Sequence, residues 1–151
     1  MSSESEIKLK RFERGDRLYV QSQQIWLILV GFVMRPALRV EQMNDDKSVG
    51  NKGYELITYG ELAVLMGHSD KRAGHTLGRQ LGIVGKLCIL NNLPALNSIV
   101  VNQDTEMPGD EVLLTDGRSV AEEQNAVYRE DWLKIRVPTT GTFRRTWELM
   151  S

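Results

Sequence analysis

Arg72, His75, Arg79 and Lys86 recur at helical spacing along one stretch of the sequence, with Thr76 among them and Tyr59 a short way upstream. Side chains three and four residues apart share a helix face, so the four would form a row of cations able to neutralise phosphates. On the other side Leu77, Leu81, Val84 and Cys88 fall at i, i+4, i+7 and i+11, an apolar stripe that requires a core. Such a helix could enter a nucleic-acid groove by its N-terminal end. The same pattern also describes an ordinary core helix with a solvated polar face.

Other chemistries fail on spacing. Gly82-Ile83-Val84-Gly85-Lys86-Leu87 resembles the end of a phosphate loop, but Gln80 stands where its first glycine should be and Leu87 where Ser or Thr should follow. Asp104 opens a stretch like a calcium loop, yet its twelfth position is Thr115 rather than Glu. Two histidines, His68 and His75, and one cysteine do not suggest a zinc site, so neither metal nor cofactor is expected. The carboxylates of residues 104–116 are expected to form a solvated loop rather than a catalytic pair.

The elements that must position the cations follow from local signals. Thr58 with Glu61 three residues on is a capping box, which predicts a helix from Tyr59 with Leu62, Leu65 and Met66 on one side. Gly67 ends it, because a left-handed residue is inexpensive there. Ser69 or Asp70 can cap a second helix carrying the cation row, and after Leu93-Pro94 the β-branched segment Ser98 to Asn102 predicts a strand. Helix, tight turn and basic-faced helix together form a helix-turn-helix pattern.

Upstream, residues 1–15 are polar and expected to be flexible. A helix over 17–35 places Leu18, Ile25, Trp26, Leu29, Val30 and Val33 on one side and ends at Arg35-Pro36, since a residue before proline avoids the α region. That side serves the core or, alternatively, a partner. Residues 41–53 make the clearest loop, followed by an extended approach over 54–57. Downstream, Asp104 to Gly117 is an exposed acidic loop in which Val112 to Leu114 could form a short strand. Ser119 with Glu122 starts a further helix, and Trp132, Ile135, Val137, Phe143, Arg144, Arg145 and Trp147 follow.

Composition bounds the answer. A chain of 151 residues that is 41% hydrophobic and 26% charged suits one soluble domain with a real core. The net charge of −1 gives no global attraction to nucleic acid, so any such binding must come from a local patch. Cys88 alone can form no internal disulfide, Met1 to Glu6 lacks the order of a signal peptide, and the apolar run Ile25 to Met34 is about half of a bilayer span. A cytoplasmic protein without a membrane partner is expected.

Thr58-Tyr59-Gly60-Glu61-Leu62-Ala63, then Leu77-Gly78 within a helix, then a proline-containing loop leading to Ile99-Val100-Val101, resemble the DNA-binding domain of the alkylguanine-DNA alkyltransferases and their non-catalytic alkyltransferase-like relatives. The likeness spans under a third of the chain. It implies a winged-helix domain that binds duplex DNA. Aligning the Val-Val pair with Val100-Val101 puts Leu96, Asn97, Ser98 and Ile99 where the family has its Pro-Cys-His-Arg motif, so the nucleophile and its activating histidine are missing. Cys88, on the apolar stripe, is expected to be a buried small hydrophobe. His75 stands where the family has the arginine that fills the space of a flipped nucleotide, with Arg72 one turn earlier, whereas Tyr59 matches the family's tyrosine.

The expected fold is α+β: a winged-helix-like helix-turn-helix unit over residues 58–114, with an added N-terminal helix and a C-terminal helical segment over 117–151, in one domain. The expected function is non-enzymatic binding of double-stranded DNA through Tyr59, Arg72, His75, Thr76, Arg79 and Lys86. A bacterial or phage origin would suit such a domain, in regulation, defence or counter-defence. The alternative is a protein-binding module, such as an inhibitor, immunity protein or adaptor, on the same scaffold.

Overall fold

The structure, a computed structural model, describes residues 6–36 and 55–151. The loop expected at 41–53 and Tyr54 of the extended approach lie outside the described residues. Residues 7–13 carry no regular secondary structure, and α1 follows as Leu18–Met34. It buries Ile25, Trp26, Leu29 and Val33 on the expected side. The helix ends at Pro36 because proline has no N–H to return to the preceding turn. Arg35 itself keeps helical angles, φ −52° and ψ −46°, so the predicted stop is right and the expected avoidance of the α region is not.

Strand β1, Ile57–Thr58, leads into α2, Tyr59–Leu65. Both halves of the capping box are made: Glu61 N–H donates to Thr58 Oγ1 at 3.0 Å, and Thr58 N–H to Glu61 Oε1 at 2.9 Å. Gly67 takes φ +104°, as a left-handed helix stop requires. Thr58→Ala removes the cap without touching the core and should lower stability by about 1 kcal/mol. An unchanged urea midpoint and slope would mean that the cap contributes nothing. The inward side of α2 is Leu62, Ala63 and Met66; Leu65, expected with them, points out and is 58% exposed.

The second helix differs from the expectation in two ways. Asp70 caps it, accepting from Arg72 N–H at 2.8 Å, but Lys71–Thr76 is only a 3₁₀ helix, and α3 begins afresh at Gly78 and runs to Leu90. Two glycines, Gly74 and Gly78, disfavour one continuous α-helix across this stretch. Gly74 also crosses α2 so closely that a Cβ there would lie 2.5 Å from the Tyr59 carbonyl carbon and 2.7 Å from Gly60 N. That contact fixes the 3₁₀ turn against α2. Nor is α3 amphipathic: Leu77, Leu81, Val84 and Cys88 are buried as predicted, but Gln80, Gly82, Ile83, Gly85 and Leu87 are buried too. It is the central helix, enclosed by α1, by the C-terminal helix Thr140–Met150 and by a 3₁₀ turn at Leu96–Ile99.

Only Val100–Val101 of the predicted strand is a strand, because Ser98 and Ile99 belong to that 3₁₀ turn. As β2 it pairs parallel with β1, Ile57 opposite Val100 and Thr58 opposite Val101. Val112 to Leu114 forms no strand. Helix α4, Val120–Arg129, starts at the predicted Ser119–Glu122 capping box, and after a 3₁₀ turn at Trp132–Lys134 the chain ends in α5, Thr140–Met150. Trp132 and Phe143 meet Trp26 edge to face at 5.6 and 6.1 Å, so the C-terminal segment completes the core under α1. The fold is mostly helical with a small two-stranded parallel sheet, an α+β arrangement. Among the described residues no helix is long and apolar enough to cross a membrane.

Candidate nucleic-acid interface

The 3₁₀ helix holds Lys71, Arg72, His75 and Thr76 exposed, and Arg79 is exposed on the first turn of α3. Arg72, His75 and Arg79 do not lie along one helix, because the 3₁₀ helix ends at Leu77 and α3 begins at Gly78 between them. They are nevertheless close in sequence and all reach solvent. Lys86 is not joined to them: Gly82 and Ile83, which lie between Arg79 and Lys86 on that side of α3, are buried, and Met150 Cε and Glu111 Cβ close over Gly82. The expected unbroken row of four cations is therefore divided: Arg72 and His75 lie on the 3₁₀ helix, Arg79 on the first turn of α3, and Lys86 is half-buried two turns further on.

Beside His75 lies a cleft of about 260 Å³, lined also by Tyr59, Gly74, Gly78, Asn102, Gly109 and Glu111. Capping at Thr58 places Tyr59 at the first position of α2, where its side chain crosses to the 102–111 loop. Its hydroxyl donates to Glu111 Oε2 and accepts from Gly109 N–H at 2.7 Å. Burial, and then the hydrogen bond to Glu111, push the phenol well above its ordinary pKa, so it stays protonated and acts as a donor. A Cβ on Gly109 would sit 2.7 Å from both the Tyr59 hydroxyl and Glu111 Oε1, so a larger residue there would have to move these two side-chain ends.

Arg72, His75 and Thr76 make only local contacts, each with a residue two or three positions away. Arg72 pairs with Asp70 through Nε at 3.0 Å and Nη2 at 2.7 Å, which holds the Asp70 carboxyl below its usual range. Both partners are in water, where such a pair is readily exchanged for a phosphate. His75 Nδ1 faces the Arg72 carbonyl oxygen, which can only accept, so Nδ1 carries the proton and Nε2 remains available. Thr76 Oγ1 donates to the Ala73 carbonyl at 2.7 Å and can still accept. Sequence reasoning missed Glu111, which it assigned with residues 104–116 to a solvated loop. No local signal marks it, since its partner Tyr59 is 52 residues away.

The residues at the place of the family's nucleophile are closed to solvent. Asn97 is fully buried, donates from Nδ2 to the Leu81 carbonyl at 3.1 Å and packs where a Cβ on Gly85 would collide with it. Ser98 is also fully buried, and its carbonyl accepts from Gln124 Nε2 at 2.9 Å. Burial pushes the Cys88 thiol up to about 12, so it holds almost no thiolate at neutral pH. Among the described residues no group of three or more His, Cys, Asp or Glu side chains is placed to hold a metal ion.

No protein-family model matches the chain, and no curated protein or solved structure matches it.

Proposed function

We propose that the protein binds double-stranded DNA without catalysing a reaction on it, with residues 58–114 acting as a winged-helix-like unit. Arg72, His75 and Arg79 neutralise phosphates, Thr76 adds a hydroxyl, and Tyr59 backs the cleft between them and the 102–111 loop. Lys86, set apart from this cluster, is left out of the contact. One observation carries the reading: Lys71, Arg72, His75 and Arg79 are four exposed basic side chains within nine residues on a chain whose net charge is only −1. The likeness of residues 58–63, 77–78 and 99–101 to the alkyltransferase DNA-binding domain supports the same assignment.

Reversing Arg72 and Arg79 to Glu should abolish duplex binding while changing the melting temperature little, since both side chains are exposed. Binding measured over a salt series is the check, because each lost phosphate contact flattens the slope by about one unit. Retained binding with the original slope would remove these residues from the interface. A second reading, a protein-binding module, is favoured by the Glu111 carboxylate inside the cleft, where it opposes an approaching phosphate. Under that reading wild-type affinity for DNA is weak and indifferent to the double reversal.

A further inference from the structure

The Glu111 carboxylate is half-buried, yet only its Oε2 takes part in a hydrogen bond among the described residues. Its Oε1 lies 3.8 Å from the Cβ position of Gly78, and its Cβ 3.7 Å from that of Gly82, so it lies along the start of α3. That turn contains no acidic side chain, and Leu77 gives it no side-chain cap. The positive end of a 13-residue helix, with His75 and Arg79 beside it, therefore has Glu111 as its neighbouring counter-charge. Two contacts keep the carboxylate there: the Tyr59 hydroxyl donates to it, and Gly109 N–H fixes that hydroxyl from the other side.

We propose that Glu111 is an internal counter-anion that excludes phosphate from the start of α3 and so restrains the basic cluster. This rests on the nucleic-acid reading for its biological consequence, but the exclusion itself concerns any phosphate. A carboxylate and a phosphate compete for the same positive surface and repel each other when both are present. The Tyr59 clamp makes the competition intramolecular, so a ligand phosphate must either displace Glu111 or bind against its charge. The sequence places Glu111 on an acidic loop; the fold turns it inward, away from Asp104, Glu106 and Asp110, which remain exposed.

The test compares wild type with Glu111→Gln on a labelled random-sequence duplex and, separately, on inorganic phosphate followed through the amide resonances of Gly78 and Arg79. Glu111→Ala loses the same charge and replaces the Gln variant if that one fails to fold. Duplex affinity should rise about fivefold, the effect of removing a like charge about 4 Å from a phosphate in water. Phosphate should perturb the two amides at lower concentration than in wild type. Asp116→Asn is the control for net charge. Asp116 lines a groove with Ile89 and Asn92 at the far end of α3, roughly 18 Å from Gly78 and beyond a Debye length at moderate salt. It should leave both readouts unchanged.

Equal gains in the Glu111 and Asp116 variants would overturn the proposal, because the effect would then be global charge. Unchanged or weaker duplex binding together with an unchanged phosphate response would also overturn it, while steep salt dependence in wild type would leave the nucleic-acid reading standing. A gained phosphate response in a protein that binds no duplex would uphold the counter-anion and discard the nucleic-acid reading.

Discussion

Gly74→Ala should destabilise the protein by about 3 kcal/mol, the upper part of the usual range for overpacking, because the new methyl group has nowhere to go. Its Cβ would lie 2.5 Å from the Tyr59 carbonyl carbon, 2.6 Å from its oxygen and 2.7 Å from Gly60 N. All three are backbone atoms of α2, held by the capping box at Thr58, so no side-chain rotation relieves the contact. The 3₁₀ helix must then lift away from α2, carrying Arg72, His75 and Thr76 with it, and the Tyr59 cleft opens. Urea unfolding measures the loss, and Gly31→Ala is the contrast. Gly31 lies inside α1 with nothing within 4 Å of its Cβ position, so alanine there should stabilise by about 0.5–1 kcal/mol. A Gly74 variant as stable as wild type would mean that the two helices do not cross this closely.

Glu123→Ala should lower stability by about 3 kcal/mol, and by more than any exposed carboxylate in the chain. Glu123 has no solvent exposure, and its two oxygens accept four hydrogen bonds: from Ala95 N–H at 2.8 Å, Thr115 N–H at 2.7 Å, Thr115 Oγ1 at 3.0 Å and Arg118 Nη1 at 3.2 Å. The carboxylate thereby joins α4 to the turn before Leu96–Ile99 and to the end of the acidic loop. Breaking a buried ion pair typically costs about 3–5 kcal/mol, but the Arg118 side chain is 37% exposed and can turn to water, which places the effect at the lower end. The amides of Ala95, which is fully buried, and of half-buried Thr115 would lose their acceptor. Hydrogen exchange at those two amides should accelerate in the variant. Unaltered exchange and an unaltered urea midpoint would show that the network is dispensable.

What the sequence determined by itself was the set of features whose partners lie within a few residues. Thr58 and Glu61, and Ser119 and Glu122, each close a hydrogen bond across three positions, so residue type and spacing specify them, whereas spacing narrows the next cap only to Ser69 or Asp70, and it falls to Asp70. Pro36 stops α1 by lacking an N–H, and Gly67 stops α2 by accepting a positive φ. The stripe Leu77, Leu81, Val84 and Cys88 had to be buried, because four apolar side chains on one helix side find no favourable place in water.

The tertiary structure alone decided what lies on the other sides. Gly82 looks free to face solvent beside the cations until Met150 and Glu111 are brought across it, and Ile83 next to it is fully buried. The expected basic helix therefore became the core helix, and its cations were reduced to one end. The break at Leu77 depends on Gly74 meeting the backbone of Tyr59 and Gly60, and the two strands are a strand pair only because Ile57 and Val100 meet from opposite ends of a long crossover. Glu111 is the clearest case. Its neighbours in sequence are acidic and solvated, and only the Tyr59 hydroxyl, 52 residues away, turns it into the cleft. Such contacts follow from which surfaces the packed core brings together, and residue spacing along the chain carries no record of that.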